Sequence, residues 1–257
     1  MDGPPSPNLS RPLGRVGFES GSDIYERARP GYPDEVISYL VERLPLDGRS
    51  RVLDLAAGTG KMTRQLRAVS PRSVAVEPSP SMRAVFAESV GRASVMAGTA
   101  ERIPIASGSM DAVVVAQAFH WFDNQVAVAE VARTLRSGGG LALVWNERDE
   151  SDPLIAELVR ISKWDRCQPY PVGKDFSATI DESGLFGPVV RRKFGWVQGV
   201  DRATFVDQVA SRSYVQVLPD EERGALLDQV ADLAATQDEP IAIPYITDTF
   251  LAHRREA

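Results

Sequence analysis

Two acids and two glycines are the residues whose types and spacing point most directly to ligand chemistry. The stretch VLDLAAGTGKMTRQL, residues 52–66, places Asp54 at the end of a short apolar run and Gly58 and Gly60 in the turn that follows. A glycine turn that leads a strand into a helix lets a ligand come close to the backbone. Glu77 ends the next apolar run, where an acid can accept hydrogen bonds from both hydroxyls of a ribose.

Two phosphate-binding motifs do not fit this turn. A P-loop has a glycine five residues before its Gly-Lys pair and Ser or Thr after it, but Leu55 and Met62 occupy those positions. A dinucleotide fingerprint has a third glycine three residues after the second, and Thr63 stands there. The turn therefore favours an adenosine ligand without a pyrophosphate, and the smallest common cofactor of that kind is S-adenosylmethionine.

The elements that must position these residues alternate between strands and helices. Up to residue 150, strands are predicted at 50–56, 73–77, 94–98, 111–118 and 141–146, with helices at 61–69, 81–90 and 125–135. Beyond residue 150, helices are predicted at 152–166, 177–184, 203–211 and 220–235, and strands at 189–197 and 241–253. Short apolar strands that alternate with helices predict a doubly wound α/β fold with a mostly parallel sheet.

Composition excludes several classes of protein. The 257 residues carry a formal net charge of −6, which gives no general attraction to a polyanion, so no nucleic-acid partner is expected. The single cysteine, Cys167, excludes an intrachain disulfide and a multi-cysteine metal site, and no metal is predicted. No apolar run is long enough for a membrane span and no secretory h-region is present, so a cytoplasmic enzyme is expected. Residues 1–17 are predicted to form a disordered arm because they are rich in proline and small polar residues.

Five segments in order resemble the successive motifs of class I S-adenosylmethionine-dependent methyltransferases. They are VLDLAAGTGK, VAVEPSPSMRAVF, GTAERIP, DAVVVAQAFHWFD and EVARTLRSGGGLALVW. The chain is most similar to the small-molecule branch with the ubiquinone/menaquinone-type and trans-aconitate-type enzymes, and YERARPGYP and SRSYVQVLP resemble a bacterial and fungal subgroup of it. The resemblance implies a methyltransferase domain over residues 18–257, seven strands with the last antiparallel, and helical lid insertions at 150–187 and 201–236.

The resemblance also implies how the cofactor is held at its methionine and ribose ends. The backbone at Ala56, Gly58 and Gly60 would pass close to the methionine part, and Glu77 would accept the ribose hydroxyls. Asp54 is placed with these cofactor residues, although it could instead cap the turn that follows it. Because Glu77 lies at a strand end, its removal is expected to have little effect on folding. Glu77 could alternatively be only a solvated acid, in which case its removal would leave cofactor binding unchanged.

Further cofactor contacts are implied around the adenine and the methionine head. Met82 would pack on the adenine face, although a helical methionine is more often core. Thr99 stands where the family often has an acid that contacts the adenine amino group, and the Ala100 backbone amide would reach the ring. Gln117 would offer its carbonyl to the cofactor's ammonium group. Tyr25 and Arg29 are candidates to close over the cofactor and bind its carboxylate. Arg29 could alternatively form only an ion pair at the protein surface.

The acceptor side is predicted at the carboxyl ends of the fourth and fifth strands and in the lid. His120 is the candidate general base, because imidazole titrates near neutral pH, or else it only shapes the pocket. Trp121 and Phe122 could belong to an aromatic wall or to the core. The other candidate acceptor residues are Phe119, Trp145, Trp164, Arg212 and Tyr214, although a lone arginine such as Arg212 is usually solvated. The acceptor itself, the acceptor atom and the oligomeric state stay open.

Three other functions compete with small-molecule methyl transfer. A nucleic-acid or protein methyltransferase could share the fold, but QAFHWFD is not the Asn/Asp-Pro-Pro-aromatic motif of enzymes that methylate nucleic-acid amino groups. A binding protein could have kept the cofactor site without catalysis. A NAD-dependent oxidoreductase is disfavoured because the third glycine is missing.

Overall fold

The computed structural model describes residues 22–163 and 174–256, and these contain one twisted sheet. The seven strands of this sheet are β1 (Val52–Leu55), β2 (Val74–Val76), β3 (Val95–Met96), β4 (Met110–Ala116), β5 (Leu135–Arg148), β6 (Val190–Val200) and β7 (Ile241–His253). Their order across the sheet is β3-β2-β1-β4-β5-β7-β6. The predicted α/β class and the seven-stranded sheet are confirmed.

Strand direction divides the sheet into two parts. Strands β1 to β5 pair in parallel, whereas β7 pairs antiparallel with both β5 and β6. The last strand is therefore antiparallel to its neighbours, as predicted. Chain order reverses between β1 and β4, and in doubly wound sheets ligands bind in the crevice at the carboxyl ends of such a pair.

Ten described α-helices surround the sheet. They are α1 (Ser22–Ala28), α2 (Asp34–Arg43), α3 (Lys61–Val69), α4 (Pro80–Phe86), α5 (Asn124–Thr134), α6 (Pro153–Ser162), α7 (Ser177–Asp181), α8 (Arg202–Ala210), α9 (Ser213–Gln216) and α10 (Asp220–Ala235). The sequence interpretation did not assign α1 and α2. The predicted arm at 1–17 and most of the proline-rich stretch 169–174 lie outside the described residues, as does Trp164.

Several predicted boundaries differ from the structure, and two of the differences have a clear physical reason. The helix predicted to run to residue 166 ends at Ser162, because Lys163 adopts a left-handed conformation with φ 50°. Its predicted start is confirmed, since the Asp152 carboxylate accepts hydrogen bonds from the first backbone amides of α6. Strand β5 begins at Leu135 instead of residue 141, because Leu135 and Gly140 already pair with Met110 and Ala112 of β4.

Alternate residues of the central strands fill two separate apolar layers. Leu53, Val113 and Leu143 face the layer on the α5 side, whereas Val114 and Val144 face the layer that contains α2 and α3. A third apolar cluster joins α6, α8 and α10 to the start of β7. Because most of these side chains are fully buried, the carboxyl edge of the parallel strands rests on a well-packed support.

Gly60 is fixed by packing at the point where α3 begins. It has φ 89°, and a Cβ atom there would lie 2.7 Å from both Phe86 and Val90. Phe86 is fully buried and has little room to move. The resemblance predicted that Gly60 lets the cofactor come close to the backbone. In the structure, glycine is required there because a Cβ atom would clash with Phe86 and Val90.

Gly60→Ala should therefore lower the free energy of unfolding by roughly 2–5 kcal/mol, from left-handed strain and overpacking together. Gly138→Ala is the matched control, because Gly138 also has a positive φ (72°) but open space around its Cβ position. The control should lose only about 1–2 kcal/mol. Equal losses in urea unfolding would show that contact with Phe86 and Val90 is unimportant.

Candidate active site

A cavity of about 390 Å³ opens at the carboxyl ends of the central parallel strands. This volume lies within the range of small-molecule binding pockets. Eight of the predicted cofactor residues line it: Tyr25, Ala56, Gly58, Glu77, Met82, Thr99, Ala100 and Gln117. The sheet therefore brings together residues that are far apart in the sequence, and their individual contacts indicate what the cavity can hold.

The Glu77 carboxylate connects two loops at the cavity floor. One oxygen accepts a hydrogen bond from the Gly58 amide at 2.9 Å, and the other accepts one from the Ser79 amide at 2.7 Å. Glu77 is only 5% exposed, and burial raises its pKa. The alternative that Glu77 is a solvated strand end is therefore wrong. Both carboxylate oxygens keep a further lone pair for ligand hydroxyls.

Gly58 leaves room above the first of these loops. Its φ is 57°, and a Cβ atom built there would meet nothing within 4 Å. Ala56 and Gln117 also adopt left-handed conformations, with φ 58° and 60°, although neither is glycine. Such conformations in non-glycine residues cluster at functional sites. All three residues border the cavity, so the left-handed backbone of this region is concentrated at the cavity edge.

Gln117 is held by strand β5. Its amide nitrogen Nε2 donates to the Asn146 carbonyl at 3.0 Å, and its backbone amide donates to the Val144 carbonyl at 2.9 Å. The Asn146 side chain in turn donates to the Gly31 carbonyl and accepts from the Thr247 hydroxyl. These bonds join β4, β5, β7 and the loop before α2 around the predicted contact with the cofactor's ammonium group.

Asp54 is buried behind the cavity wall, where it fastens β1 to α3. Its Oδ2 accepts a hydrogen bond from the Thr63 hydroxyl at 2.5 Å, and Oδ1 has no hydrogen-bond partner among the described residues. Burial, with a smaller contribution from the charge of Glu77, raises the pKa of Asp54 to about 7. Neither sequence interpretation of Asp54 fits this position, because the residue makes no cap to the turn and does not line the cavity.

Helix α1 covers one side of the cavity and is attached to α3 by charge. Glu26 of α1 pairs with Arg64 at 2.6 Å and with Lys61 at 3.6 Å. This attachment places the Tyr25 ring in the cavity wall, with the Arg29 guanidinium 5.5 Å from the ring centroid. Arg29 Nε donates to the Ser211 hydroxyl at 2.9 Å, so its position is not that of a surface ion pair.

The adenine end of the predicted site is formed by loops after β2 and β3. Met82 and Ala100 are buried and Thr99 is exposed, and all three border the cavity. Gly98 is required for packing, because a Cβ atom there would lie 2.6 Å from Pro104. Glu101 also lines the cavity, and its carboxylate accepts a hydrogen bond from the Asp123 amide at 2.9 Å. The resemblance did not mark Glu101, although it follows Thr99 and Ala100 directly.

The aromatic residues after β4 divide between cavity and core. Trp121 and Phe122 border the cavity. Phe119 is 1% exposed and packs edge-on against Phe176, and Trp145 is 2% exposed and stacks on Phe176 at 4.4 Å. Phe119 and Trp145 are thus core residues, and their predicted place in the acceptor wall is wrong. Which residues after a strand face the ligand depends on the 3-10 turn at Phe119–Trp121, which the motif does not specify.

His120 lies on that turn, with its ring centroid 4.7 Å from that of Trp121. Burial, with a smaller effect of the Lys174 charge, lowers the pKa of His120 to about 3. The expectation that this imidazole titrates near neutral pH is therefore wrong. A neutral imidazole with so low a pKa is a weak base.

Arg212 and Tyr214 lie in the lid segment after α8. Arg212 is 9% exposed, so the alternative of a solvated arginine is wrong. Burial lowers the pKa of Arg212, and the charges of Arg29 and Arg148 lower it further. The Tyr214 hydroxyl donates to the Ser162 carbonyl at 3.1 Å and so joins α9 to α6.

No group of three or more His, Cys, Asp or Glu side chains in residues 22–163 and 174–256 is arranged to hold a metal ion. No described helix is long and apolar enough to cross a membrane.

Comparison with known proteins defines the class of this protein. A family profile described as a methyltransferase domain matches residues 53–143, the segment that contains the glycine turn, Glu77 and Gln117. An uncharacterized methyltransferase of Mycobacterium tuberculosis is 41% identical over 240 residues, which cover 90% of this chain and 93% of the relative. The chain belongs to the S-adenosylmethionine-dependent methyltransferases, and S-adenosylmethionine is its cofactor.

Two further proteins show how widely the likeness extends. An uncharacterized methyltransferase-like protein of Schizosaccharomyces pombe is 30% identical over 247 residues, 93% of this chain and 96% of the relative. A phosphoethanolamine N-methyltransferase of Haemonchus contortus, solved in complex with S-adenosyl-L-methionine, has the same fold with a TM-score of 0.55. That likeness covers 94% of this chain and 57% of the other chain at 16% identity. The predicted fold, enzyme class and cofactor are confirmed. The predicted ubiquinone/menaquinone-type and trans-aconitate-type branch is not confirmed.

Replacing Glu77 tests the connection between the two cavity loops. Glu77→Ala should weaken S-adenosylmethionine binding by roughly 1.5–3 kcal/mol and also lower the free energy of unfolding by about 1–3 kcal/mol, because two amides lose their acceptor. Titration calorimetry and urea unfolding measure the two effects. Asp47→Ala is the control, since Asp47 also accepts from two backbone amides but lies outside the cavity wall. Unchanged cofactor affinity in Glu77→Ala would contradict a binding role.

Asp54 predicts a pH dependence of stability. Because its folded-state pKa (about 7) lies above the 3.8 of an ordinary aspartate, the folded protein retains a proton that the unfolded chain releases. Below pH 4 the free energy of unfolding of the parent should exceed that of Asp54→Asn by its largest amount. It should then fall by up to roughly 4 kcal/mol as the pH rises to and beyond 7. Urea unfolding of both proteins from pH 4 to 8 measures the difference, and a constant difference would show that Asp54 ionises normally.

Proposed function

We propose that this enzyme transfers the methyl group of its cofactor to a small-molecule acceptor by in-line displacement. The observation that carries the proposal is the cover over the cavity. Tyr25 of α1 lines the cavity, and the Arg29–Ser211 hydrogen bond joins the end of the same helix to the start of the α8–α9 connection. A cavity of about 390 Å³ that a fastened helix bounds on one side is suited to a compact acceptor and poorly suited to a nucleic-acid duplex or a folded protein.

The residues of the cavity fit the cofactor. Glu77 would hold the ribose hydroxyls with lone pairs that Gly58 and Ser79 leave available, and the open space above Gly58 would receive the methionine part. Gln117 would direct its main-chain carbonyl toward the ammonium group. The faces of Tyr25 and Trp121 favour a neighbouring cation. When bound, the cofactor supplies an electrophilic methyl group on a sulfonium.

The work of the protein is alignment and exclusion of water. In-line transfer forms a bond between the acceptor atom and the methyl carbon while the carbon–sulfur bond breaks and its electrons remain on sulfur. The enzyme must hold the acceptor atom on the line of that bond, which is a matter of positioning. We propose that His120 is an uncharged residue that packs beside Trp121 and shapes the acceptor site. The acceptor atom would already have an available lone pair when it binds.

The two roles of His120 predict different effects of His120→Ala. A wall residue predicts a decrease in kcat below about tenfold and no change in the pH profile between 5 and 8. A general base predicts a loss of ~10²–10⁴-fold and removal of a pH inflection. Steady-state rates with an accepted substrate measure both, and cofactor affinity should be unchanged in either case.

The proposed substrate class is tested by transfer of labelled methyl groups. Purified protein with labelled cofactor is incubated in parallel with small acids, phenols, amines and thiols, with transfer RNA, with duplex DNA and with a mixture of peptides. Label is expected only in the small-molecule fractions. Label in nucleic acid or peptide would contradict the proposal. The cytoplasmic location and the small-molecule branch stay predictions of the sequence.

A further inference from the structure

Arg83 joins helix α4 to the end of strand β2, at the edge of the cofactor cavity. Its Nη1 donates hydrogen bonds to the Glu77 carbonyl at 2.8 Å and to the Pro78 carbonyl at 2.7 Å. Arg83 belongs to α4, so this helix reaches back to the strand end that precedes it. The guanidinium therefore fixes the main chain at the residue whose carboxylate lines the cavity.

With this contact, every polar group of Glu77 has a partner. Its backbone amide donates to the Met96 carbonyl of β3 at 3.1 Å, and its carbonyl accepts from Arg83. The two carboxylate oxygens accept from the Gly58 and Ser79 amides. Three of these four partners are uncharged backbone groups, so Arg83 is the partner that brings a charge to Glu77.

The charge of Arg83 is not taken up by another acid. Arg64 and Arg133 pair with Glu26 and Glu130 at 2.6 and 2.7 Å, whereas Arg83 forms no ion pair within the described part of the chain. Its two recorded acceptors are neutral carbonyl oxygens. A charged donor makes a stronger hydrogen bond to a carbonyl than a neutral donor does, and its charge still acts on groups nearby.

This charge opposes the effect of burial on Glu77. Burial raises the pKa of the Glu77 carboxyl, whereas the hydrogen bonds from Ser79 and Gly58 and the charge of Arg83 lower it. The ionised form is the one that suits a ribose. An ionised carboxylate has lone pairs left for two hydroxyls after the amides are bound, but protonation turns one oxygen into a donor.

Two other titratable groups face Glu77 from the elements around it. They are Asp54 of β1 and Tyr25 of α1, and the charge of Glu77 raises the pKa of each, in addition to the larger effect of burial. Neither group favours the charged form of Glu77, because an ionised Asp54 repels it and a neutral phenol carries no charge. Among the residues that the structure describes, the cation that favours this form is Arg83.

We propose that Arg83 is a positioning residue for S-adenosylmethionine, which acts through Glu77 and does not touch the cofactor. It fixes the main chain at the end of β2 and keeps the carboxylate in the charged form that accepts the ribose hydroxyls. This inference rests on the contact between Glu77 and the cofactor given under the proposed function, and it holds whatever the methyl acceptor is.

Titration calorimetry with S-adenosylhomocysteine from pH 5 to 8 tests the inference in Arg83→Gln. Without the charge, Glu77 takes up a proton at a higher pH, so the variant should lose affinity as the pH falls. It should bind within about threefold of the parent at pH 8 and roughly tenfold more weakly than the parent at pH 5. A ratio of affinities that stays constant over this range would show that Arg83 only supports the fold, and the inference would be wrong.

Two further variants separate charge from structure. Arg83→Lys keeps the charge, so its affinity relative to the parent should not change with pH, and urea unfolding of each variant shows whether it is folded. Equal weakening at pH 5 in Arg83→Lys and Arg83→Gln would overturn the inference. Arg67→Gln is the matched control, because Arg67 also donates to a backbone carbonyl, that of Val90, but does not act on Glu77.

The backbone amide of Gly58 gives a second measurement that needs no ligand. Because this amide donates to the Glu77 carboxylate, its nitrogen resonance should follow the ionisation of Glu77. The midpoint should move to higher pH in Arg83→Gln and stay in place in Arg67→Gln. Asp54 titrates in the same range, so both measurements are repeated with Asp54→Asn in each protein.

The two measurements together distinguish the failure of this inference from that of the proposed function. An unmoved Gly58 midpoint in Arg83→Gln would show that Arg83 does not act on Glu77, and the inference alone would be wrong. If the midpoint moves while S-adenosylhomocysteine binds equally well at every pH, the proposed contact between Glu77 and the ribose is wrong, and the role of Arg83 in cofactor binding is wrong with it.

Discussion

The hydrogen bonds of one buried carboxylate determine the shape of the cofactor site. Glu77 lies at the end of β2 and receives the Gly58 amide from the loop after β1 and the Ser79 amide from the loop before α4. Because β1 and β2 are neighbours in the sheet, these two bonds fix the distance between two loops that the sheet alone would leave free. The open space above Gly58 and the N-cap of α4 at Ser79 both depend on that distance. A ribose would bind to an acceptor that is already oriented, so little ordering is required when the ligand arrives.

The site is electrically asymmetric around this carboxylate. Glu77 lies on the β1–β2 side, where burial raises its pKa, and a cationic cofactor would favour its charged form. Arg148 and Arg212 lie on the side of β5 and α8, where burial lowers the pKa of Arg212. The acid on the β1–β2 side matches the positive charge of the cofactor.

The sequence was sufficient to predict what depends on local pattern. The alternation of apolar runs and helices predicted the sheet, and the resemblance to the methyltransferase motifs predicted Ala56, Gly58 and Glu77 of the cavity wall. What the sequence could not provide is the direction of side chains at loops and the pairing of distant residues. Phe119 and Trp145 occur at the ends of strands as cavity residues do, but a 3-10 turn and stacking on Phe176 direct them into the core. Arg148 was not marked at all, because only the folded chain brings it to Arg29 and Arg212, and only burial reveals that the pKa of His120 is far from neutral.

Hydrogen exchange of the backbone amides tests the central role of Glu77 most directly. In the protein without added cofactor, the account predicts that the Gly58 and Ser79 amides are protected, because each already donates to the carboxylate. In Glu77→Ala both amides should exchange markedly faster while the amides of β4 keep their protection. S-adenosylhomocysteine should then slow exchange further in the parent protein only. Rapid exchange of Gly58 and Ser79 in the parent without cofactor, with protection only after the ligand is added, would contradict a site formed in advance by Glu77.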